Sequence, residues 1–214
     1  PLPETEIKIV DPETFQTYEL RQKGLVLARG PQIMSGYLGK KSESNKVLDA
    51  DDWFNTGDLG MLLDDGSLIL TGRAKDTIVL SSGENIEPGP LEEALIASPL
   101  IEQAMLLGQD QKQLAALIVP RIDYLKGWLM EKGLNSQIVL GFCPENRELR
   151  LLLRSELNKV LANRLVSRRE ERLFSIALVD PFTIENGLLT QTLKQKRKDI
   201  IQRDLKLINQ IYDL

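Results

Sequence analysis

Residues Gly72 to Pro88 read GRAKDTIVLSSGENIEP, and the way this stretch divides decides the fold. Arg73, Lys75 and Asp76 crowd three charges into four residues. Thr77 to Leu80 follows as a short apolar run rich in β-branched residues, which reads as a strand. Ser81-Ser82-Gly83 is small and turn-forming. Asn85 to Pro88 then enters a helix that starts on a proline. Gly72 to Asp76 therefore reads as a linker between two regions of different character.

Upstream the pattern is strands and turns. Thr5 to Val10 alternates, Asp11-Pro12-Glu13-Thr14 turns the chain, and Gly24 to Gly30 is a second strand. A loop leads into one helix over Lys41 to Leu48. Leu59 to Gly72 is a hairpin, two apolar runs joined by Asp64-Asp65-Gly66-Ser67. Downstream the pattern is mixed. Pro88 to Ala97 is a helix with acids in its first turn, and Gln103 to Pro120 is a second hairpin with its tip at Gln109 to Lys112. Asp123 to Lys132 is a helix, Gly133 to Pro144 a loop, and Arg147 to Glu171 one long amphipathic helix. Phe174 to Asp180 is a strand, and a lysine-rich helix runs from Leu193 to the end. The fold class is α+β: a β-rich first part, then a small mixed α/β part.

Composition removes whole classes of chemistry. The 214 residues contain no histidine, which excludes Ser-His-Asp and Cys-His nucleophilic machinery and histidine proton shuttles. One cysteine, Cys143, excludes an intrachain disulfide or a cysteine-cluster metal site and fits a reducing compartment. No metal site is expected. A net charge of −4 argues against a general nucleic-acid binder. No apolar run is long enough to span a bilayer, although an amphipathic helix touching lipid stays open. The chain starts on Pro1 without a signal-peptide pattern and reads as a piece of a longer or processed protein.

Four constellations remain as carriers of chemistry, each with a plainer alternative. Thr56-Gly57-Asp58 allows close backbone approach and offers a carboxylate suited to a vicinal diol, or it is a solvated turn. Arg73 closes the hairpin that Asp58 opens, so the two share one site or form a surface ion pair of small value. Ser81 to Pro88 presents small residues before a helix, an anion or narrow-ligand site or an ordinary strand-to-helix turn. Thr190, Lys194, Lys196 and Arg197 neutralise a phosphate or carboxylate, or form a basic solvated face. The basic run Arg164 to Arg172 is likewise solvated, or with the second basic stretch it docks an acidic partner.

In this order and spacing, GPQIMSGYLG, WFNTGDLG, GRAKDTIVLSSGENIEPGPLEEA and LLTQTLKQKR resemble the C-terminal part of the adenylate-forming superfamily. GENIEP and NGLLTQTLK look like its long-chain acyl branch. GRAKDTIVLSSGENIEP with IEQAMLLGQDQKQLAALIVP looks like the cyanobacterial and plastid long-chain acyl–acyl carrier protein synthetases, close to the long-chain acyl-CoA synthetases. The resemblance implies residues 1–72 as the end of a large ATP-binding domain, a hinge over 73–76 and a C-terminal lid over 77–214.

The resemblance also implies roles. Asp58 and Arg73 bind the ribose of ATP, and Lys75 with Asp76 forms the hinge. Ser82, Gly83 and Glu84 border the path of a phosphopantetheine thiol. Lys194 bridges the substrate carboxylate and the α-phosphate, with Lys196 as the alternative lysine. Leu193 stands in place of the family's usual glycine, and Gln191 where long-chain relatives often have proline. Magnesium assists, with most of its ligands expected outside this chain. The implied partners are a long-chain fatty acid and acyl carrier protein, or coenzyme A, with Arg168, Arg169 and Arg172 docking the carrier from one helix. A non-catalytic carrier-docking module is the rival from another class. The implied location is cytoplasm or plastid stroma, with membrane association open. The family's Ser/Thr/Gly-rich phosphate loop and most of its acyl pocket are not found here, so the 214 residues alone are expected not to activate fatty acids.

Overall fold

The computed structural model describes residues 2–133 and 146–213. The loop expected after Gly133, with Cys143, lies outside the described residues. The chain divides into two compact units, Pro1–Thr77 and Ile78–Leu214.

The first unit is a four-stranded antiparallel sheet in sequence order: β1 (Glu6–Val10), β2 (Gly24–Arg29), β3 (Phe54–Leu62) and β4 (Leu68–Arg73). Antiparallel neighbours need only local turns, and the turn chemistry supplies them. Asp11 Oδ1 accepts the backbone N–H groups of Glu13 and Thr14, both at 2.8 Å. The Tyr18 hydroxyl donates to Asp11 Oδ2 at 2.6 Å. Asp65 Oδ1 accepts the Ser67 N–H at 2.9 Å across the β3–β4 turn. Two expectations shift. The first strand of this hairpin starts at Phe54, not Leu59, because it also pairs with β2, Ala28 opposite Phe54. Asp58 therefore lies inside a strand. At the other end β4 runs through Arg73, so the linker begins as a 3₁₀ turn over Ala74–Asp76. The helix expected over Lys41 to Leu48 shortens to α1 (Lys41–Ser44), with Leu48 bridged to Phe54.

The second unit opens with a small hairpin, β5 (Ile78–Val79) against β6 (Asn85–Ile86). Asn85 and Ile86 read in the sequence only as a helix entry. Helix α2 (Pro88–Ile96) follows, with Pro88 buried in its first turn. The acids expected in that turn, Glu92 and Glu93, lie beyond it. Next come β7 (Ile101–Leu107), β8 (Leu114–Pro120), α3 (Ile122–Glu131) and α4 (Arg147–Ala162). Strand β9 (Leu173–Leu178), α5 (Arg197–Arg203) and α6 (Leu205–Tyr212) complete it.

Strand β8 is the centre of a three-stranded sheet, antiparallel to β7 and parallel to β9. All its residues are buried, as a strand covered on both faces requires. Its two-residue period sorts them. Leu114, Ala116 and Ile118 join the core under α2, α3 and α4, and Ala115, Leu117 and Val119 join the core with Phe182, Ile200 and Ile211.

Helix α4 contributes Leu149, Leu153, Leu157 and Leu161, one apolar row at four-residue spacing. The Asn146 side chain caps its start by accepting the Leu149 N–H at 3.1 Å. The helix expected to continue to Glu171 stops at Ala162. Leu165 keeps the four-residue spacing in sequence, but it is 107% exposed and Val166 beside it 77%, so the buried row ends at Leu161. Arg164 Nε donates to the last-turn carbonyl of Leu161 at 3.1 Å. The Asn158 side chain bonds the backbone of Leu173 in both directions, at 3.0 and 2.8 Å, which brings β9 back alongside the helix.

Candidate functional site

In the first unit the sheet register sets Asp58 opposite Arg73, and the two form an ion pair with Arg73 Nε 3.0 Å from Asp58 Oδ1. The approach to Asp58 is built by its neighbours. The Thr56 hydroxyl donates to the Val26 carbonyl at 2.8 Å and accepts the Asp58 N–H at 3.1 Å. Gly57 has φ +70°, where a side chain is strained, and an added Cβ would stand 3.3 Å from Arg73 Nη2. That Nη2 donates to the Thr56 carbonyl at 3.1 Å. Both charged side chains stay partly exposed, so the pair adds little stability and its ends remain available to a ligand. Lys75 is exposed and Asp76 half-buried in the 3₁₀ turn that follows, where the Thr77 hydroxyl donates to the Arg73 carbonyl at 3.2 Å.

In the second unit Lys194 sits in a tight loop. The Thr190 N–H donates to the Lys194 carbonyl and the Leu193 N–H to the Thr190 carbonyl, both at 2.9 Å. Leu193 has φ +60°. These bonds make a three-residue hairpin loop that ends in a left-handed bulge residue, the position where glycine is preferred. The loop is fastened from both ends. Thr190 Oγ1 accepts the Lys194 N–H at 3.0 Å, and Gln195 Nε2 donates to the Ala104 carbonyl at 3.0 Å. The Lys194 side chain is exposed and has no carboxylate partner among the described residues. Lys196 is also exposed, but it precedes α5 and its N–H bonds the Leu188 carbonyl at 2.9 Å.

Arg197 turns inward. Its Nη1 donates to Glu92 Oε1 at 2.7 Å, and the same oxygen accepts the Leu106 N–H at 2.7 Å. Glu92 is a residue that sequence reading missed as a partner of this loop. It lies 105 positions from Arg197, so no local pattern marks it.

Ser82, Gly83 and Glu84 form the exposed tip of the β5–β6 hairpin, with Gly83 at φ +86°. The arginines expected on one helix do not share one. Arg168, Arg169 and Arg172 follow the end of α4, around a 3₁₀ turn over Arg169–Glu171. Arg168 is engaged within the unit, by Glu171 and by the Glu84–Asn85 backbone and side chain. Arg169 and Arg172 instead line an open cavity of about 450 Å³ with Ser82, Lys112 and Arg154.

Residues 75–134 match the family model of the AMP-binding enzyme C-terminal domain. The chain is 38% identical over 225 residues to the chloroplastic long-chain-fatty-acid–[acyl-carrier-protein] ligase of Arabidopsis thaliana, covering 99% of this chain and 28% of that protein. This chain is a homologue of the acyl-activating enzymes. A second Arabidopsis relative, a probable chloroplastic acyl-activating enzyme, is 35% identical over 99% of this chain and 30% of its own length. Long-chain-fatty-acid–CoA ligase 6 of Mus musculus is 31% identical over 99% of this chain and 30% of its own length. The chain thus spans about 30% of the acyl-activating relatives it matches. The fold is similar to about a third of a known adenylation domain. The adenylation domain of a Segniliparus rugosus carboxylic acid reductase superposes with a TM-score of 0.80 at 24% identity, over 97% of this chain and 31% of that one.

Proposed function

We propose that this chain is part of an AMP-forming ligase that activates a long-chain fatty acid as acyl-adenylate and passes the acyl group to the thiol of acyl carrier protein. The observation that carries the reading is the 38% identity, across 99% of the chain, to a plastid ligase of that kind. The local geometry supports it. The Asp58 carboxylate is partly exposed and stands beside a cation, which fits the two hydroxyls of the ATP ribose. Lys194 presents an exposed ammonium from a backbone-fixed loop, suited to stand between a carboxylate and a phosphate that repel each other.

In the first step the fatty carboxylate oxygen bonds to the α-phosphorus and pyrophosphate leaves. In the second the thiol sulfur bonds to the acyl carbon, the bond from that carbon to the AMP oxygen breaks, and the thiol proton passes to solvent. Ser82, Gly83 and Glu84 border the thiol path in this reading. Lys75 and Asp76 are the hinge about which the second unit turns between steps, a lid-type motion. Arg169 and Arg172 offer the cationic wall that an acidic carrier protein would meet. Among the described residues no group of three or more carboxylate, cysteine or histidine side chains is placed to hold a metal, so no step is assigned to magnesium through them. None of the described helices is long and apolar enough to cross a membrane.

Coenzyme A as acceptor is the second reading, favoured by the 31% identity to a CoA ligase. Full-length enzyme supplied with ATP, palmitate and either thiol decides. Pyrophosphate release with product on the carrier protein supports the proposal. Product on coenzyme A alone gives the second reading, and no fatty-acid-dependent pyrophosphate release refutes both.

A further inference from the structure

Hairpin β5–β6 pairs only Ile78 with Ile86 and Val79 with Asn85, and its turn is closed by the Gly83 N–H to the Leu80 carbonyl at 2.8 Å and the Leu80 N–H to the Glu84 carbonyl at 2.9 Å; so short a hairpin is marginal by itself. Outside contacts fix it from two sides. On one, the Asp110 N–H donates to the Val79 carbonyl at 2.8 Å and the Ser81 N–H to the Gln111 carbonyl at 2.9 Å. On the other stands Arg168. Its Nη2 donates to the Asn85 carbonyl at 2.9 Å, and its Nη1 lies 3.7 Å from Glu84 Oε2.

Arg168 is itself anchored. Its Nε donates to Glu171 Oε1 at 3.0 Å and its backbone N–H to Glu171 Oε2 at 3.1 Å. Glu171 is 7% exposed, and Arg164 also bonds its carboxylate. Burial pushes the Glu171 carboxyl up, but the hydrogen bonds from Arg168 and the charge of Arg164 outweigh it and hold it below the ordinary range. A buried carboxylate so held is a rigid post. The guanidinium fork spans from this post to the loop, Nε one way and the Nη groups the other. A lysine ammonium is a single point and spans only one of the two.

We propose that Arg168 is a positioning residue for the thiol-transfer step, holding the Ser82–Asn85 loop in the shape that borders the incoming thiol. The assignment rests on the ligase reading above. Arg168 touches no reacting atom in it and acts through Glu84 and Asn85. Misplacement of a positioning loop by about 1 Å costs on the order of 100-fold in rate, so loss of the tether falls on transfer and not on adenylation.

The test uses the full-length enzyme with Arg168→Lys and Arg168→Gln beside the unsubstituted enzyme. Fatty-acid-dependent ATP–pyrophosphate exchange reads the first step. Single-turnover transfer from preformed acyl-adenylate at saturating thiol reads the second. Amide hydrogen exchange over residues 82–86 reads the loop. Both Arg168 variants are expected to keep exchange within about 2-fold, to slow saturated transfer by about 10-fold or more, and to speed amide exchange in the loop. Arg168→Lys keeps a cation beside Glu171 and carries the comparison if Arg168→Gln loses its cooperative melt. Unchanged transfer, equal losses in both half-reactions, or a rise in thiol KM alone would overturn the assignment. Absence of exchange in the unsubstituted enzyme would overturn the ligase reading instead, and it shows before any substitution is made.

Discussion

Replacing Leu193 by glycine should stabilise the protein, whereas the same change at most positions does the reverse. Leu193 closes the Thr190–Lys194 loop at φ +60°, and it is 68% exposed. A left-handed conformation costs an L-residue roughly 1–2 kcal/mol, which glycine does not incur. Glycine gives back about 0.4–1 kcal/mol through the greater freedom of the unfolded chain. With little burial to lose, the balance favours glycine by up to about 1.5 kcal/mol. Alanine keeps the left-handed penalty, so Leu193→Ala is close to neutral. The decisive quantity is the difference between the two variants, because at an ordinary backbone position glycine is worse than alanine by about 0.5–1 kcal/mol. A shift of 1 kcal/mol moves the midpoint about 2–4 °C in a chain of this size. Thermal melts of wild type, Leu193→Gly and Leu193→Ala measure it. A glycine variant that melts below the alanine variant refutes the reasoning, for then the loop does not hold Leu193 in that conformation.

Gly57→Ala should act oppositely, costing about 1–2 kcal/mol in a denaturant titration, because φ +70° strains any side chain and the new Cβ meets Arg73 Nη2 at 3.3 Å. Glu92→Ala should cost about 2–3 kcal/mol in the same assay, since it strips a partly buried Arg197 of its carboxylate and Leu106 of its acceptor. The hydrogen bond from Tyr18, with backbone N–H groups of Thr14 and Glu13, holds the Asp11 carboxyl at about 2 against an ordinary 3.8. A depressed folded-state value stabilises above pH 3.8 and is lost as pH falls through about 2, so carbonyl NMR should show that midpoint and Tyr18→Phe should raise it.

Local pattern carried the elements that bury a regular face. The β8 run and its hairpin with β7 are legible as apolar runs joined by a polar tip, and the leucine row from Leu149 to Leu161 because its burial repeats every four residues. The extension of α4 to Glu171 failed because RLVSRREER has helical composition and Leu165 keeps the four-residue spacing of the row, yet Leu165 and Val166 are exposed and the helix has already ended. What ends the helix is a set of side-chain bonds, from Arg164, Asn158 and Glu171, that composition does not announce. Strand β6 was hidden by its length of two residues. The candidate site was legible in its conspicuous residues, Asp58, Arg73 and Lys194, and illegible in what fastens them. Glu92 and the Asn85 carbonyl reach their arginines across 105 and 83 positions, a separation only the fold closes.

The Thr190–Lys194 loop takes its form from main-chain bonds and from Thr190, Gln195 and Arg197, while the lysine side chain itself holds nothing in place. In the ligase reading proposed above, scaffold and reagent are thus encoded in different residues. Exchange of Lys194 for alanine removes an ammonium and leaves the loop standing, so whatever that enzyme then fails to do is a loss of chemistry and not of architecture. The same exchange at Arg197 would mix the two.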